Sequence, residues 1–264
     1  MVQTQITPPQ EDAPRRSSLE RVHRLFSSFD YEHTSLSLSD LSRRAGLPLS
    51  TTHRMVRELL DLGMLERTDS DELCIGVDLW KFGLLTPKTF GIQRVALPFM
   101  QDLYATTGMP VHLGIPEGGK VTIVESLRRR GSDGKGARGS GRERPYIGQR
   151  DPMHASAVGM ALLAFLAPDE QQQYLADLDR NPAGDPSEQI RRELAQPRAS
   201  GYSVSERRTH PNTAVGAPVL NRLGRPMGSL SLVLPVGTVI HGYGHLVRST
   251  ARAVQRTAWD QGMG

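Results

Sequence analysis

The chain has 264 residues, of which 38% are hydrophobic, 23% charged and 5% aromatic, and this size allows one large globular domain or two small ones. It contains no apolar run of the roughly 20 residues that a membrane span needs, and no basic segment followed by an apolar one, as in a secretory signal, at its start. The single cysteine, Cys74, excludes an intramolecular disulfide framework and any cysteine-rich metal site. We therefore expect a soluble, cytoplasmic protein with no membrane partner.

The basic charge of the chain is concentrated in one segment. The formal net charge is +4 and the pI is about 9.4, values that by themselves favour a nucleic-acid partner. Residues 128–150 hold eight basic and two acidic side chains, so the remainder of the chain has a net charge of −2. The overall charge is thus weak evidence for DNA binding, and the arrangement of individual helices and basic residues is the better guide.

The N-terminal part of the sequence predicts a leader followed by helices. Residues 1–16 are polar and proline-rich, which is typical of a disordered segment. A first helix is predicted with Ser18 as its N-cap, and a second with Ser39 as its N-cap and Gly46 as its end. The apolar face of the first helix is formed by Leu19, Val22, Leu25, Phe26 and Phe29.

A third helix and a hairpin complete this region. Ser50 is the predicted cap of a helix over residues 51–62, which directly follows the tight turn after Gly46. Two short β-like runs, 64–67 and 72–75, then flank a turn-rich stretch. Two helices joined by a tight turn and followed by a hairpin form a winged helix-turn-helix, whose second helix can enter the major groove of DNA. We therefore predict such a DNA-binding domain over residues 17–76.

The candidate DNA contacts cluster at the start of this third helix. Hydroxyls and helix-terminal amides suit phosphates, and exposed arginine and histidine side chains can reach bases or phosphates. The seven candidates are Arg43, Arg44, Ser50, Thr51, His53, Arg54 and Arg57. Residues 17–85 nevertheless contain eight basic and eleven acidic side chains. The phosphate contribution per protomer should therefore be modest, with dimerisation supplying the rest.

The remaining sequence predicts a linker helix over residues 77–88 and a second domain over 89–264. Neighbouring predicted strands favour an antiparallel sheet, and with the intervening helices they give an α+β fold. The predicted strands are 111–115, 121–124, 202–205, 215–220 and 227–234, and the predicted helices are 155–166, 169–178, 186–195 and 244–261. Residues 128–144, rich in Gly and Arg, are predicted to be a mobile basic loop. A solvated insertion is preferred over a contact with DNA or another protomer.

Three segments carry a resemblance to a known family. Residues 38–54 read LSDLSRRAGLPLSTTHR, and within them Gly-Leu-Pro-x-Ser-Thr-x-His-Arg is a specific signature of the isocitrate lyase regulator (IclR) family of bacterial transcription factors. Residues 151–164 read DPMHASAVGMALLA and are similar to the family's PLHATALGKALLA segment. The third match comprises GYSV at 201–204, GAPV at 216–219 and GSLSL at 228–232. The chain therefore resembles this family from Ser17 to Gln261.

The resemblance implies a sequence-specific DNA-binding transcriptional regulator, for example a repressor, and the sequence does not decide between repression and activation. It implies a winged helix joined to a C-terminal effector domain of GAF-like, profilin-like fold, in a homodimer or a dimer of dimers on double-stranded DNA. A small-molecule effector, a small organic acid or catabolic intermediate, would modulate operator binding. The effector pocket that the resemblance implies consists of Ile147, Asp151, Ala157, Val158, Ser205, Glu206, Ala214, Ser231 and Val233.

The sequence departs from the family in ways that leave the ligand open. The family often has Leu at the position of Asp151, Cys at that of Ala214 and Ser at that of Val233. The last two differences predict a more apolar pocket. Alternatively, Arg207 and Arg208 pair with an anionic effector, and the sequence does not choose between the two.

Two other classes of protein are alternatives: an enzyme or ligand-binding module without DNA function, and a different winged-helix protein with a passive dimerising half. No titratable pair with recognisable catalytic spacing occurs, so we expect no enzymatic activity and no cofactor. His241 and His245 have the spacing of two metal ligands on a helix. Gly242 and Gly244 weaken that helix, and no carboxylate or cysteine lies beside it, so no metal site is predicted.

Overall fold

The computed structural model describes residues 17–30, 33–128, 147–180, 187–206 and 212–263. The predicted leader at 1–16 and nearly all of the predicted loop at 128–144 lie outside them. The chain divides into two compact units between Leu85 and Thr86. Among the described residues, none of the helices has both the length and the apolar character that a membrane crossing requires.

The described part of the first unit contains the predicted helix-turn-helix and hairpin. Its helices are α1 (Ser18–Phe26), α2 (Leu38–Ala45), α3 (Leu49–Asp61) and α4 (Val77–Leu84). Its strands are β1 (Ser35–Leu36), β2 (Leu65–Arg67) and β3 (Leu73–Ile75), which form an antiparallel sheet in the order β1-β3-β2. Strand β1, which has only two residues, was not among the elements predicted from the sequence.

The predicted helix caps were wrong by one or two residues. Ser17, not Ser18, caps α1, because Ser17 and Glu20 form a reciprocal pair: the Ser17 hydroxyl accepts from the Glu20 amide, and the Glu20 carboxylate accepts from the Ser17 amide. Ser37, not Ser39, caps α2 by accepting from an amide three residues later, that of Asp40.

The predicted cap of α3 was also wrong. Its N-cap is Pro48, so Ser50 lies within the first helical turn. The Pro48 carbonyl accepts from both the amide and the hydroxyl of Thr52, and the Ser42 hydroxyl donates to the Leu47 carbonyl at 2.7 Å. Gly46 has φ of +58°, a conformation that favours glycine, and the Arg24 guanidinium occupies the place of a Cβ there. These contacts fix the turn between α2 and α3.

The second unit is built on one antiparallel sheet. Its helices are α5 (Pro87–Thr107), α6 (Ala157–Leu163), α7 (Pro168–Asp179), α8 (Ser187–Glu193), α9 (Ala195–Ser200) and α10 (Ile240–Asp260). Its strands are β4 (Val111–Glu117), β5 (Lys120–Leu127), β6 (Arg150–Pro152), β7 (Ser203–Glu206), β8 (Asn212–Leu220) and β9 (Pro226–Pro235). In the described residues the strand order is β6-β5-β4-β9-β8-β7, with every neighbouring pair antiparallel. The predicted α+β fold with an antiparallel sheet is confirmed.

The two faces of this sheet carry different packing. On one face, α5 and α10 bury apolar side chains at three- and four-residue spacing, among them Met100 and Val254, against alternate residues of β4, β8 and β9. The other face is covered by α6, which packs against β8, β9 and β4. A second core lies on this side and includes Ile123, Met153 and Leu163.

Glycines allow α6 to approach the sheet closely. A Cβ on Gly216 of β8 would collide with the carbonyl of Ala157, and one on Gly114 of β4 would lie 2.9 Å from Cγ2 of Val158. The helix predicted over 155–166 is correspondingly shorter, because a 3₁₀ turn (Met153–Ala155) precedes α6. The first turn of α6 therefore lies directly on the strands that carry the predicted effector residues.

Candidate nucleic-acid interface and ligand pocket

Helix α3 has one buried face and one exposed face. Its buried side chains are Thr52, Met55, Val56 and Leu59, which pack into the core of the first unit. Of the residues predicted to contact DNA, Ser50, His53, Arg54 and Arg57 are exposed and Thr51 is half-buried. The leading turn of α3 thus points away from the core of the first unit, as a recognition helix requires.

The amides of this turn are open to an anion. Pro48 lends no side chain to them, and the positive end of the helix dipole lies beside Ser50 and Thr51. Such a helix terminus suits a phosphate group.

Three of the predicted arginines are paired with carboxylates. Arg54 Nη1 lies 2.9 Å from Glu58 Oε1, and Arg43 Nη2 lies 2.7 Å from Asp40 Oδ1. The hydrogen bond from Arg43, followed by that from Ser37, holds the pKa of Asp40 below its ordinary value. Exposed pairs of this kind exchange partners at little energetic cost, so both arginines remain available to phosphates.

Arg44 is held more firmly than the other arginines. Its Nε donates to the Ser28 carbonyl at 2.8 Å and its Nη2 lies 2.5 Å from Asp30 Oδ2, while only 27% of its side chain is exposed. Arg44 therefore ties α2 to the end of α1. Arg57 and His53, by contrast, have no hydrogen-bond or ion-pair partner among the described residues.

The hairpin formed by β2 and β3 offers little to phosphate. Arg67 Nη1 donates to both the carbonyl and the carboxylate of Asp71. The Glu66 carboxylate accepts from the Val77 amide, and the Glu72 carboxylate accepts from Ser35. We therefore expect this hairpin, the wing of the domain, to make only minor contacts with DNA.

The structure brings four of the predicted effector residues together on one face of the large sheet. Ser205 of β7 is paired in register with Ala214 of β8, which is paired with Val233 of β9. Ser231 lies two residues from Val233 on the same face and is 3% exposed. Because α6 covers this face, these four residues lie between the sheet and the helix.

Ala157 and Val158 lie on α6, against the same face. Both are buried, and the Ser203 hydroxyl donates to the Ala157 carbonyl at 2.6 Å. Ser156 caps the helix by accepting from the Gly159 amide. Ser203, which the sequence reasoning missed, thereby ties the first turn of α6 to β7.

The other predicted effector residues are not part of this group. Asp151 lies on β6, at the opposite edge of the sheet, and accepts from Gln149 Nε2 at 2.8 Å. Ile147 is exposed in the turn before that strand. Glu206 ends β7, but its side chain is not described, and Arg207 and Arg208 lie outside the described residues.

His112 of β4 is a buried polar residue that the sequence reasoning missed. Its Nδ1 lies 3.0 Å from the hydroxyl of Ser126 on β5. Burial, assisted by the positive charge of Arg128, lowers the pKa of His112 to about 4, so the ring is neutral at physiological pH. The sequence does carry a signal for His112, because it stands between the apolar residues Val111 and Leu113. Alternation along the strand then places the His112 side chain on the opposite face from theirs, which is the α6 face.

His241 and His245 lie one turn apart on α10, which begins earlier than predicted. Gly242 and Gly244 are inside the helix, and Gly244 is required there because a Cβ would lie 2.5 Å from the ring of Tyr202. The Arg248 guanidinium lies 2.9 Å from His245 Nδ1. Burial and this neighbouring cation lower the pKa of His245. The described residues contain no group of three side chains suited to a metal ion.

Known proteins resemble this chain over most of its length. The HTH-type transcriptional regulator KipR of Bacillus subtilis is 29% identical over 206 residues, which span 75% of this chain and 78% of KipR. The HTH-type transcriptional repressor AllR of Escherichia coli is 26% identical over 90% of this chain and 88% of its own. The crystal structure of an IclR homolog from Microbacterium hydrocarbonoxydans, complexed with 4-hydroxybenzoate, is similar with a TM-score of 0.78 and 29% identity, covering 91% of this chain and 98% of that one.

Both units match descriptions of one protein family. Residues 18–69 match the IclR helix-turn-helix domain, and residues 86–258 match the C-terminal domain of bacterial IclR transcriptional regulators. The first match contains the exposed leading turn of α3, and the second contains the sheet with its buried polar residues. The chain therefore belongs to the IclR family of bacterial transcriptional regulators, with a helix-turn-helix DNA-binding domain.

Proposed function

We propose that two copies of this chain bind an operator in double-stranded DNA and that a small organic acid modulates this binding. The observation that carries the proposal is the exposed first turn of α3. Helix α3 is amphipathic, and the contacts around Gly46 and Pro48 fix its start. Thr51, His53 and Arg54 would enter the major groove and contact base edges. Arg57 and the Ser50 end of the helix would hold phosphates.

The modest positive charge of this surface supports a dimer. The first unit contains more acidic than basic residues, and the exposed arginines Arg43 and Arg54 are paired with carboxylates. One head would therefore bind DNA weakly. Two heads bound to half-sites one helical turn apart add their contributions, which gives a specific site its affinity.

The proposed effector site is the space between α6 and the sheet. The paired residues Ser205, Ala214 and Val233, together with Ser231, offer small and hydroxyl-bearing side chains there. The relative from M. hydrocarbonoxydans, 29% identical, has been solved with 4-hydroxybenzoate, which supports a small organic acid. Ligand would favour one arrangement of the two DNA-binding heads, and operator affinity would change by the difference in ligand binding between arrangements.

We infer that the chain acts in the cytoplasm as a repressor without enzymatic activity, in keeping with the relatives' names as transcriptional regulators and, for AllR, a repressor. Selection of DNA fragments from a random pool by the full chain tests the proposal. We expect enrichment of a sequence with two similar half-sites. An Arg54→Ala variant that remains folded should enrich that sequence poorly. Failure of the unaltered chain to enrich any sequence would contradict the DNA-binding proposal.

The effector is tested on the enriched duplex. We expect at least one small organic acid from a panel that includes 4-hydroxybenzoate to change the affinity of the full chain for the duplex. The same acid should raise the thermal unfolding temperature, because it binds only the folded protein. A Ser231→Ala variant should respond more weakly.

A further inference from the structure

A row of polar side chains crosses the α6 face of the large sheet. In successive strands, Ser126 of β5 is paired with His112 of β4, and His112 is paired with Ser231 of β9. Ser231 is paired in turn with Gly216 of β8, and Gly216 with Ser203 of β7. Because directly opposed residues in an antiparallel sheet share a face, these four polar side chains lie in one row, which is interrupted only by Gly216.

The polar atoms of this row differ in their hydrogen bonds. Ser203 is committed to the Ala157 carbonyl, and Ser126 is committed to Nδ1 of His112. In the part of the chain that the structure describes, neither the hydroxyl of Ser231 nor Nε2 of His112 has a hydrogen-bond partner. Both residues are nevertheless at least nine-tenths buried, with 3% and 4% of their surfaces exposed. Burying a polar group without a partner is unfavourable unless something else satisfies it.

These two atoms are not sealed inside the core. Among the described residues, the one side-chain polar atom that is fully enclosed and without a partner is Nη1 of Arg24, in the first unit. The Ser231 hydroxyl and His112 Nε2 therefore each keep a small accessible surface on the α6 face of the sheet, where an atom of a ligand can approach them. The Cβ atoms of directly opposed residues lie about 5 Å apart, so a single small group can reach both side chains.

The chemistry of the pair favours an uncharged group. The imidazole of His112 is neutral, and a buried carboxylate beside it would have no cation within the row to offset its charge. Arg128, the cation whose charge His112 senses, is exposed to solvent. A hydroxyl group both donates and accepts a hydrogen bond, so it fits His112 in either tautomer and the Ser231 hydroxyl at the same time.

We propose that His112 and Ser231 together bind a hydroxyl group of the effector, and that the pocket thereby selects hydroxylated organic acids over the corresponding acids without the hydroxyl. This inference rests on the proposed effector site and extends it across the sheet to β4. Ser126 positions the imidazole by holding its Nδ1. An acid that lacks the hydroxyl leaves both buried polar atoms without a partner, and this loss is the source of the selectivity.

The test compares matched pairs of acids on the full chain by isothermal titration calorimetry. The probes are 4-hydroxybenzoate with benzoate, and lactate with propionate. For at least one pair, we expect the hydroxylated acid to bind roughly tenfold or more tightly than its partner. His112→Phe and, separately, Ser231→Ala should reduce that ratio to about threefold or less.

Ser229→Ala is the matched control. Ser229 lies on the same strand and the same face as Ser231, but it is fully buried and its hydroxyl is directed at the Leu230 carbonyl. This variant should keep the full preference of the unaltered chain. If His112→Phe fails to fold, Ser231→Ala decides the question alone.

Two outcomes would overturn the inference: a hydroxyl preference that survives in folded His112→Phe and Ser231→Ala, or an unaltered chain that prefers neither hydroxylated acid. In either case, the DNA-binding proposal stands as long as the chain still binds its selected duplex. If the unaltered chain does not bind the duplex, the proposed function is contradicted, whatever the ratio of its affinities for the two acids.

Discussion

Arg54 Nη1 lies 2.9 Å from Glu58 Oε1, one turn further along the exposed face of α3. The carboxylate neutralises the guanidinium that we expect to contact DNA, and it places a negative charge on the surface that faces the phosphates. Both side chains are more than half exposed, so the pair itself contributes little to stability.

Replacing Glu58 with Gln should therefore strengthen DNA binding. We expect operator affinity at low salt to rise roughly threefold to tenfold, and the gain to shrink as salt screens the charges. Fluorescence anisotropy with a labelled operator at several salt concentrations measures this. Glu188→Gln, an equal change of charge in the second unit, is the control and should have a much smaller effect. A loss of affinity in Glu58→Gln would show instead that the carboxylate contacts DNA itself.

Replacing Arg54 with Ala should weaken operator binding by about 1–3 kcal/mol if its guanidinium contacts a base edge. The loss should be smaller on duplexes mutated at the contacted base pair. Arg67→Ala is the matched control, because Arg67 is bound to Asp71 in the wing. We expect that variant to retain nearly full affinity. Unchanged operator affinity in Arg54→Ala would remove this residue from the proposed reading role.

Arg44 should matter for stability more than Arg43. Arg44→Ala removes two hydrogen bonds that join α2 to the end of α1, and we expect a loss of about 1–2 kcal/mol in the free energy of unfolding. Arg43 is 73% exposed and, among the described residues, its side chain is bound to Asp40 alone, on its own helix, so Arg43→Ala should cost less than about 0.5 kcal/mol. Urea unfolding followed by circular dichroism measures both values. Equal losses would contradict the structural role of Arg44.

His112 should make the second unit less stable in acid. Its pKa is about 4 in the folded protein and 6.5 in the unfolded chain, so the unfolded chain binds the proton first as the pH falls. Stability should thus be unaffected by this group above pH 6.5 and decrease between pH 6.5 and about 4, by a total on the order of 3 kcal/mol. Urea unfolding across this range should give a visibly flatter profile for His112→Phe. Parallel profiles for the two proteins would contradict the buried neutral state of His112.

Local sequence signals were sufficient for the first unit but not for its boundaries. Gly46 and the apolar spacing of α3 predict the turn and the buried face because both act over a few residues. The N-caps were misplaced because more than one serine lies close to the start of each helix. The choice of Ser17 over Ser18 depends on Glu20, which forms the reciprocal pair with Ser17. Leu19 was predicted to be on the buried face but is 80% exposed, since the packing of the first turn of α1 depends on distant elements.

The site in the second unit was predicted only in part, because strand pairing is not visible in a single sequence. Ser205, Ala214 and Ser231 came from the family resemblance, and the structure places them on one face. His112 could have been singled out as a polar residue between buried apolar ones. Its relation to Ser231 depends on the pairing of β4 with β9, which no local pattern indicates.

This same pairing affects the order in which the chain can fold during synthesis. Val111 of β4 is the partner of Leu232 of β9. The two central strands of the large sheet can therefore pair only after β9 has left the ribosome, late in synthesis. Contacts between such distant segments form slowly, whereas the first unit depends on contacts close in sequence. In a nascent chain, the helix-turn-helix should therefore be folded while one edge of β4 is still unpaired, because β9 has not yet been synthesised.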